Sequence, residues 1–145
     1  MSIVAYKAGE MAADSCSFSG GRRYPSEPKI VKSDLGLFGT VGRNSDGYLA
    51  RGWFRSGMPT ERPEFSDEKD DELHIMWVKP DGTVWWADKR LSFTPMPWPT
   101  SIGNSTAIDF VEAAMLAGMT AGNAVALGIQ HCVWIGGAVQ RERIG

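Results

Sequence analysis

The sequence is poor in the residue types that metal centres and disulfide-stabilised folds require. Its 145 residues include two cysteines and two histidines, too few for a disulfide framework. His131 and Cys132 are adjacent and amount to half a metal site, since no other residues stand at ligand spacing. The sequence also lacks a phosphate-binding glycine loop and a Gly-x-Ser-x-Gly motif. We therefore expect no metal and no cofactor.

An excess of positive charge and long hydrophobic runs are also missing. Fifteen Lys and Arg residues stand against seventeen Asp and Glu, giving a net charge of -2, whereas sequence-independent nucleic-acid binders carry a basic surface. No apolar run approaches the roughly 18 residues that span a bilayer, and the N-terminus lacks the segments of a secretion signal. We expect a cytoplasmic protein, or a component of an assembly built there, with no nucleic-acid or membrane partner.

The composition that is present predicts one globular domain over residues 1–145. The hydrophobic fraction of 43% is ordinary for a soluble domain, and this length can bury a core without cross-links. Alternating apolar residues between turn signals predict the strands. These strands are 3–6 and 11–13, joined by a turn at Ala8-Gly9, then 29–32, 35–41, 73–78, 83–87 and an interrupted strand over 133–144.

Three segments are predicted to lie outside the main strands. Residues 15–28 hold Gly20-Gly21 and two prolines, and residues 61–72 are dominated by acids, so both are expected to be exposed loops. Prolines on alternate residues exclude a central strand over 94–100. We expect an extended connector there, with Met96 and Trp98 available to dock a neighbouring subunit.

Apolar spacing predicts three helices. The first follows the turn at 42–46 and ends near Gly57, the second is capped by Thr106 and ends at Gly118, and the third is capped by Thr120. Their expected buried residues are Tyr48, Leu49, Trp53 and Phe54, then Ile108, Val111 and Met115, then Ala121, Val125 and Ile129. This order of strands and helices favours an α+β sandwich.

The first fourteen residues carry the clearest chemical signal, a short hairpin that ends on Asp14. Ser2 follows Met1, and so small a residue usually permits removal of the methionine. A hydroxyl would then stand beside a free α-amine whose pKa near 8 lets it act as a general base. This is the arrangement of an N-terminal nucleophile hydrolase. The alternative interpretation is an ordinary first strand with a small second residue.

Four segments in order resemble the proteasome β-subunit and HslV family, over about two thirds of the chain. They are Ser2–Ala5 with Met11–Ser15, Lys29–Val31 with Leu37–Thr40, Ile102-Gly103, and Ala117–Thr120 with Ile135–Val139. The resemblance implies an αββα four-layer sandwich whose members stack into rings, and hence a homo-oligomer. It also implies that Asp14 matches the family's acid and Lys29 its active-site lysine, which lowers the proton affinity of the nucleophile.

The chain also departs from the family pattern. Its oxyanion turn falls at Gly42, Arg43 and Asn44, where the family has Gly-Gly, and Asn104 replaces a serine. The helical hairpin is truncated, with one helix and the acidic loop in place of two helices. Aligning residues 3–5 with the family strand puts Met1 at the nucleophile position and points Ser2 away from the site. A three-residue hairpin loop would pair Ser2 with Asp14, and a four-residue loop would pair Met1 with Asp14.

Two functions therefore compete. The first is a self-assembling, proteasome-like subunit with a degenerate site that acts as a structural or interaction component, for example in a bacteriophage virion. The second is an active peptidase that uses Ser2 after Met1 removal, with Lys29, Asp14 and the Gly42–Asn44 turn. A peptide is the expected substrate only in the second case. An unrelated α+β binding module with chance similarity is a third possibility.

Overall fold

The computed structural model describes residues 1–19 and 22–145, so the predicted Gly20-Gly21 turn lies outside the described residues. The strands are β1 (Ile3–Lys7), β2 (Glu10–Ala13), β3 (Cys16–Ser19), β4 (Arg22–Pro25), β5 (Ile30–Ser33), β6 (Gly36–Val41), β7 (His74–Val78), β8 (Val84–Asp88), β9 (Thr94–Met96), β10 (Thr100–Gly103) and β11 (Gln140–Arg143). The helices are α1 (Asn44–Arg55), α2 (Ser105–Leu116) and α3 (Ala121–His131).

The chain folds into an αββα four-layer sandwich of the α+β class, as predicted. One antiparallel sheet has the order β10-β1-β2-β11 and the other the order β5-β6-β7-β8-β9. Helices α2 and α3 pack on the outer face of the first sheet through Val111, Met115 and Val125 against Ile3 and Ala5. The two sheets face each other across a hydrophobic core. Its buried residues include Val4, Tyr6, Met11, Leu37, Met76 and Val78.

In the described part of the chain, α1 alone forms the layer outside the second sheet. Phe54 stacks on Phe38 of β6 with ring centroids 4.5 Å apart, and Ala50 and Trp53 join the same cluster. Tyr48 and Leu49 were expected in this face but are 60% and 40% exposed. The expectation failed because Gly47 lets the helix approach Thr40 of β6 closely, which turns the Gly47–Arg51–Phe54 side toward the sheet.

The first hairpin has a two-residue turn, so neither sequence-based pairing is correct. Lys7 pairs with Glu10 and Val4 with Ala13, and Ala8 and Gly9 have φ values of 47° and 88°. Positive φ at both central residues is the signature of the type I′ turn that suits hairpin twist. Asp14 therefore lies opposite Ile3, and its amide donates to the Ile3 carbonyl at 3.3 Å.

Residues 15–28 were wrongly predicted to be a loop. Strands β3 and β4 form a hairpin there, pairing Cys16 with Pro25 and Ser17 with Tyr24. The glycines and prolines of this segment favoured a loop, and the hydrophobic pattern alone does not indicate its two short strands. Residues 61–72, by contrast, form no strand or helix and are mostly exposed, as expected.

The segments around α2 differ from the predictions in detail. Asn104, not Thr106, caps α2, and its Oδ1 accepts from the Ala107 amide at 3.1 Å. Strand β10 was not predicted and pairs with β1. Strand β9 lies at the edge of its sheet, as its prolines require, and Trp98 is 51% exposed. Of residues 133–144, 140–143 alone form a strand.

Candidate functional site

A buried ion pair joins the hairpin to the second sheet. Lys29 Nζ lies 2.6 Å from Asp14 Oδ1, and the two side chains are 5% and 0% exposed. Asp14 Oδ1 also accepts from the Ile3 amide at 3.0 Å, and Oδ2 accepts from the Gly136 amide at 3.1 Å. Lys29 Nζ donates a second bond to the Cys16 carbonyl at 2.8 Å. These bonds fix the ammonium group in one position, because Asp14 and Cys16, which accept from it, are buried residues at the end of β2 and the start of β3.

The electrostatics of this pair are dominated by burial. Desolvation lowers the pKa of Lys29 from its usual value, and the nearby Asp14 carboxylate opposes that decrease. The α-amine of Met1 also has a lowered pKa, first through burial and then through the positive charge of Lys29. An α-amine in this region is therefore closer to its free-base form than an exposed amine is.

Ser2 lies in a cleft that Lys29 and Gly42 also line, with a cavity volume of about 340 Å³. Two smaller cavities of about 290 and 270 Å³ adjoin it, and Ser2 and Gly42 line both of them as well. Strand alternation had suggested that Ser2 points away from the lysine. The observed pairing of Ile3 with Asp14 places Ser2 one residue beyond that pair, so alternation still directs its side chain to the other face. Ser2 nevertheless lines the cleft.

The Gly42-Arg43 turn is held by the acidic loop 61–72. Gly42 has a φ of +105°, and a Cβ there would collide with the Glu72 carbonyl oxygen, so no side chain fits. The Arg43 amide donates to the Asp71 carbonyl at 2.7 Å. Across residues 1–19 and 22–145, the Gly42 amide has no hydrogen-bond acceptor. The predicted oxyanion turn has three amides, those of Gly42, Arg43 and Asn44. In the described part of the chain the Arg43 amide alone among them has an acceptor, so the Gly42 N–H is free to bind an oxyanion.

Asn104 positions the start of β1 and supplies no reactive group. Its amide donates to the Ser2 carbonyl at 2.8 Å, and its Nδ2 lies 3.3 Å from Met1 Sδ. Because its Oδ1 caps α2, Asn104 ties the beginning of β1 to the helical layer. Five of the six predicted site residues thus line the three cavities, namely Ser2, Lys29, Gly42, Arg43 and Asn104, and Asp14 supports Lys29.

Sequence reasoning missed Arg51, which lines the largest of the three cavities beside Thr40. Arg51 is 6% exposed; its Nη1 donates to Thr40 Oγ1 at 2.6 Å and its Nη2 to Glu27 Oε2 at 3.3 Å. A signal was available, since Arg51 lies four residues after Gly47 and three before Phe54. That spacing puts a charged residue on the buried face of α1.

No cluster of three or more His, Cys, Asp or Glu side chains suited to a metal ion occurs within residues 1–19 and 22–145. Nor does any helix in that part of the chain have the length and hydrophobicity needed to cross a membrane.

The architecture and the cleft define the class of fold, which is that of the N-terminal nucleophile hydrolases of the HslV and proteasome type. Thiobacillus denitrificans BPH is similar over 100% of this chain and 99% of its own, with a TM-score of 0.70 and 13% identity. HslV from Trypanosoma brucei is similar over 97% of both chains, with a TM-score of 0.64 and 14% identity.

Anbu, an ancestral β-subunit from Yersinia bercovieri, has a TM-score of 0.64 and 10% identity over 99% of this chain and 86% of its own. No protein-family model matches the sequence, and no curated protein matches it. At these identities, the likeness shows the fold alone.

Proposed function

We propose that this chain is an HslV-like subunit that hydrolyses peptide bonds, with Ser2 as its N-terminal nucleophile after removal of Met1. The observation that carries the proposal is that Ser2, Lys29 and the free amide of Gly42 line one cleft. A nucleophile, a fixed positive charge and an oxyanion donor are the three components that this chemistry needs.

Each group has a defined role in the proposed reaction. The Ser2 hydroxyl attacks the substrate carbonyl carbon, and its proton passes to the α-amine of the same residue. The Gly42 N–H stabilises the resulting oxyanion. The amine then protonates the leaving nitrogen, the peptide bond breaks, and water hydrolyses the ester that remains on Ser2. Lys29 favours the negative charge that develops on the serine oxygen, and Asp14 holds Lys29 in place.

Mass spectrometry of the isolated protein, followed by covalent labelling, tests this proposal. T. denitrificans BPH has been solved in complex with epoxomicin, so a peptide epoxyketone is a suitable probe. We expect an intact mass that begins at Ser2 and one adduct per chain, absent in Ser2→Ala. As a matched control, Ser105→Ala changes an exposed serine at the start of α2 and is expected to keep the adduct. A retained Met1 with no adduct would refute the peptidase function.

A second candidate is a non-catalytic subunit that keeps the fold and its self-association, and a virion component is one concrete form of it. Two observations favour it. The Met1 side chain contacts Asn104, and the acidic loop occupies the Arg43 amide. Exposed apolar residues also lie at or just beyond the C-terminal ends of α2 and α3, namely Leu116, Met119, Val133 and Trp134, as expected for a homo-oligomer contact.

Native mass spectrometry separates the two candidates when it is combined with labelling. The non-catalytic subunit is expected to assemble with Met1 retained and to give the same oligomer when Lys29 is replaced by Ala. A catalytic subunit is expected to lose turnover in Lys29→Ala whether or not it assembles. A monomer at micromolar concentration would contradict the self-assembly that both candidates share.

A further inference from the structure

The acidic loop crosses the oxyanion turn and is anchored on both sides of it. Where the crossing begins, the Ser66 amide donates to Asp46 Oδ1 at 2.9 Å, and Lys89 Nζ donates to the Ser66 carbonyl at 3.1 Å. Where it ends, Leu73 is fully buried in the hydrophobic cluster between α1 and the second sheet. Residues 67–72 lie between these anchors and are exposed; we call them the strap.

Arg43 joins the oxyanion turn to the strap through hydrogen bonds. Its amide donates to the Asp71 carbonyl at 2.7 Å. Its Nη2 donates to Glu68 Oε2 at 2.6 Å and to the Asp70 carbonyl at 3.2 Å. Asp71 lines the two smaller cavities together with Ser2. Beside the proposed nucleophile, the Asp71 carbonyl oxygen therefore occupies a backbone N–H of the kind that stabilises an oxyanion.

The closed strap carries costs that its opening would relieve. Asp71 has a φ of 53°, a left-handed conformation that is strained in residues other than glycine. Arg43 Nε is buried and has no hydrogen-bond partner within residues 1–19 and 22–145, although buried polar groups are nearly always paired. The strap also holds five acids against one lysine, and like charges in one short segment repel. A segment anchored at both ends, with these costs between the anchors, can open without unfolding of the domain.

We infer that the strap is an autoinhibitory element of the cleft. When it is closed, the Asp71 carbonyl occupies the Arg43 amide and leaves the Gly42 N–H as the oxyanion donor. When it opens, the Arg43 amide becomes a second donor beside that of Gly42. The inference rests on the proposed peptidase function. Because one oxyanion donor changes turnover by about 10²–10³, the open form can carry most of the activity even where it is the minor form.

Two substitutions at Asp71 test the inference, because both remove its charge and only one tolerates its backbone conformation. Asparagine adopts the left-handed conformation readily, whereas β-branched valine does not. We expect Asp71→Val to open the strap and Asp71→Asn to keep it closed. The rate at which a peptide epoxyketone labels the processed full-length protein should then be roughly five- to thirtyfold higher in Asp71→Val, the equivalent of about 1–2 kcal/mol of strain. As a matched control, Met58→Val imposes the same strain at a φ of 56°, outside the three cavities, and is expected to label like wild type.

Hydrogen exchange of the Arg43 amide measures the opening itself, independently of catalysis. We expect this amide to exchange faster in Asp71→Val than in Asp71→Asn. Faster exchange without faster labelling would overturn the autoinhibition and leave the peptidase intact. Equal exchange in the two variants would show that the strap does not release, and would overturn the inference too. Labelling of Asp71→Val but not of the wild type would support it most strongly, whereas no labelling of either would overturn the peptidase function and the autoinhibition with it.

Discussion

The two ion pairs at the cleft have the same length and opposite surroundings. Lys29–Asp14 and Arg43–Glu68 both measure 2.6 Å, but the side chains of the first are 5% and 0% exposed and those of the second are 28% and 68% exposed. A charge in water is solvated whether or not it is paired, whereas a buried charge depends on its partner. The first pair is therefore a fixed part of the site. The second pair holds the acidic loop only weakly.

Breaking the buried pair should have the largest effect. Asp14→Ala leaves the Lys29 ammonium buried without its partner and also removes the acceptor for the Ile3 and Gly136 amides. We expect the free energy of unfolding to fall by about 3–5 kcal/mol, measured by urea denaturation. Asp14→Asn retains one of the two oxygen acceptors without the charge and should lose less. A loss below about 1 kcal/mol for Asp14→Ala would show that the pair is no more important than an exposed one.

The next largest effect is expected at the turn that the acidic loop holds. Gly42→Ala combines a positive φ with a collision against the Glu72 carbonyl, whereas Gly57→Ala at φ +89° has no atom within 4 Å of the new Cβ. Strain at such positions costs about 1–3 kcal/mol. We expect Gly42→Ala to lower the melting temperature in thermal denaturation more than Gly57→Ala does. We also expect it to displace the 66–72 loop. Equal losses at the two glycines would mean that the loop moves away without cost.

The protonation of Lys29 distinguishes the two pairs without mutation. Burial lowers the pKa of Lys29 below 10.5, so between that lowered pKa and 10.5 the unfolded chain binds more protons than the folded one. The contribution of Lys29 to stability must then rise as pH rises through this window. Tyr6, whose pKa burial raises above 10.0, acts in the opposite sense and loses its contribution at higher pH.

Nuclear magnetic resonance of the lysine side chains can measure this pKa directly. We expect the Lys29 signal to titrate below the usual lysine pKa of 10.5. A Lys29 pKa at or above 10.5 would mean that the attraction of Asp14 outweighs burial, and the pH dependence of stability would change sign.

The sequence predicted most of the elements because their signals are local. The Ala8-Gly9 turn, the Thr120 cap and the 73–87 hairpin each depend on a few adjacent residues, and all three are present. Two of the errors arose where a distant contact decides the outcome. The orientation of α1 depends on the approach of Gly47 to Thr40, and strand β10 exists because β1 offers it a partner.

The candidate site shows the same division. Asp14 and Lys29 were identified through the family resemblance, and the structure brings them together. Neither predicted register of the hairpin was correct, because both assumed a loop longer than the two residues observed. Arg51 was missed although its spacing from Gly47 and Phe54 places it on the buried face of α1, because the prediction assigned that face to Tyr48 and Leu49.

The smallest effect on stability is expected from breaking the exposed Arg43–Glu68 pair. This variant is the counterpart of Asp14→Ala, which breaks the buried pair. Glu68→Ala removes the carboxylate from Arg43, but the Arg43 amide still donates to Asp71 and its Nη2 to the Asp70 carbonyl. Exposed pairs contribute about 0–1 kcal/mol and are screened by salt. We expect a loss of no more than about 0.5 kcal/mol in urea denaturation, and a smaller loss at 1 M salt. Since the two pairs have equal length, a loss that matched Asp14→Ala would mean that distance rather than burial determines the strength of these ion pairs.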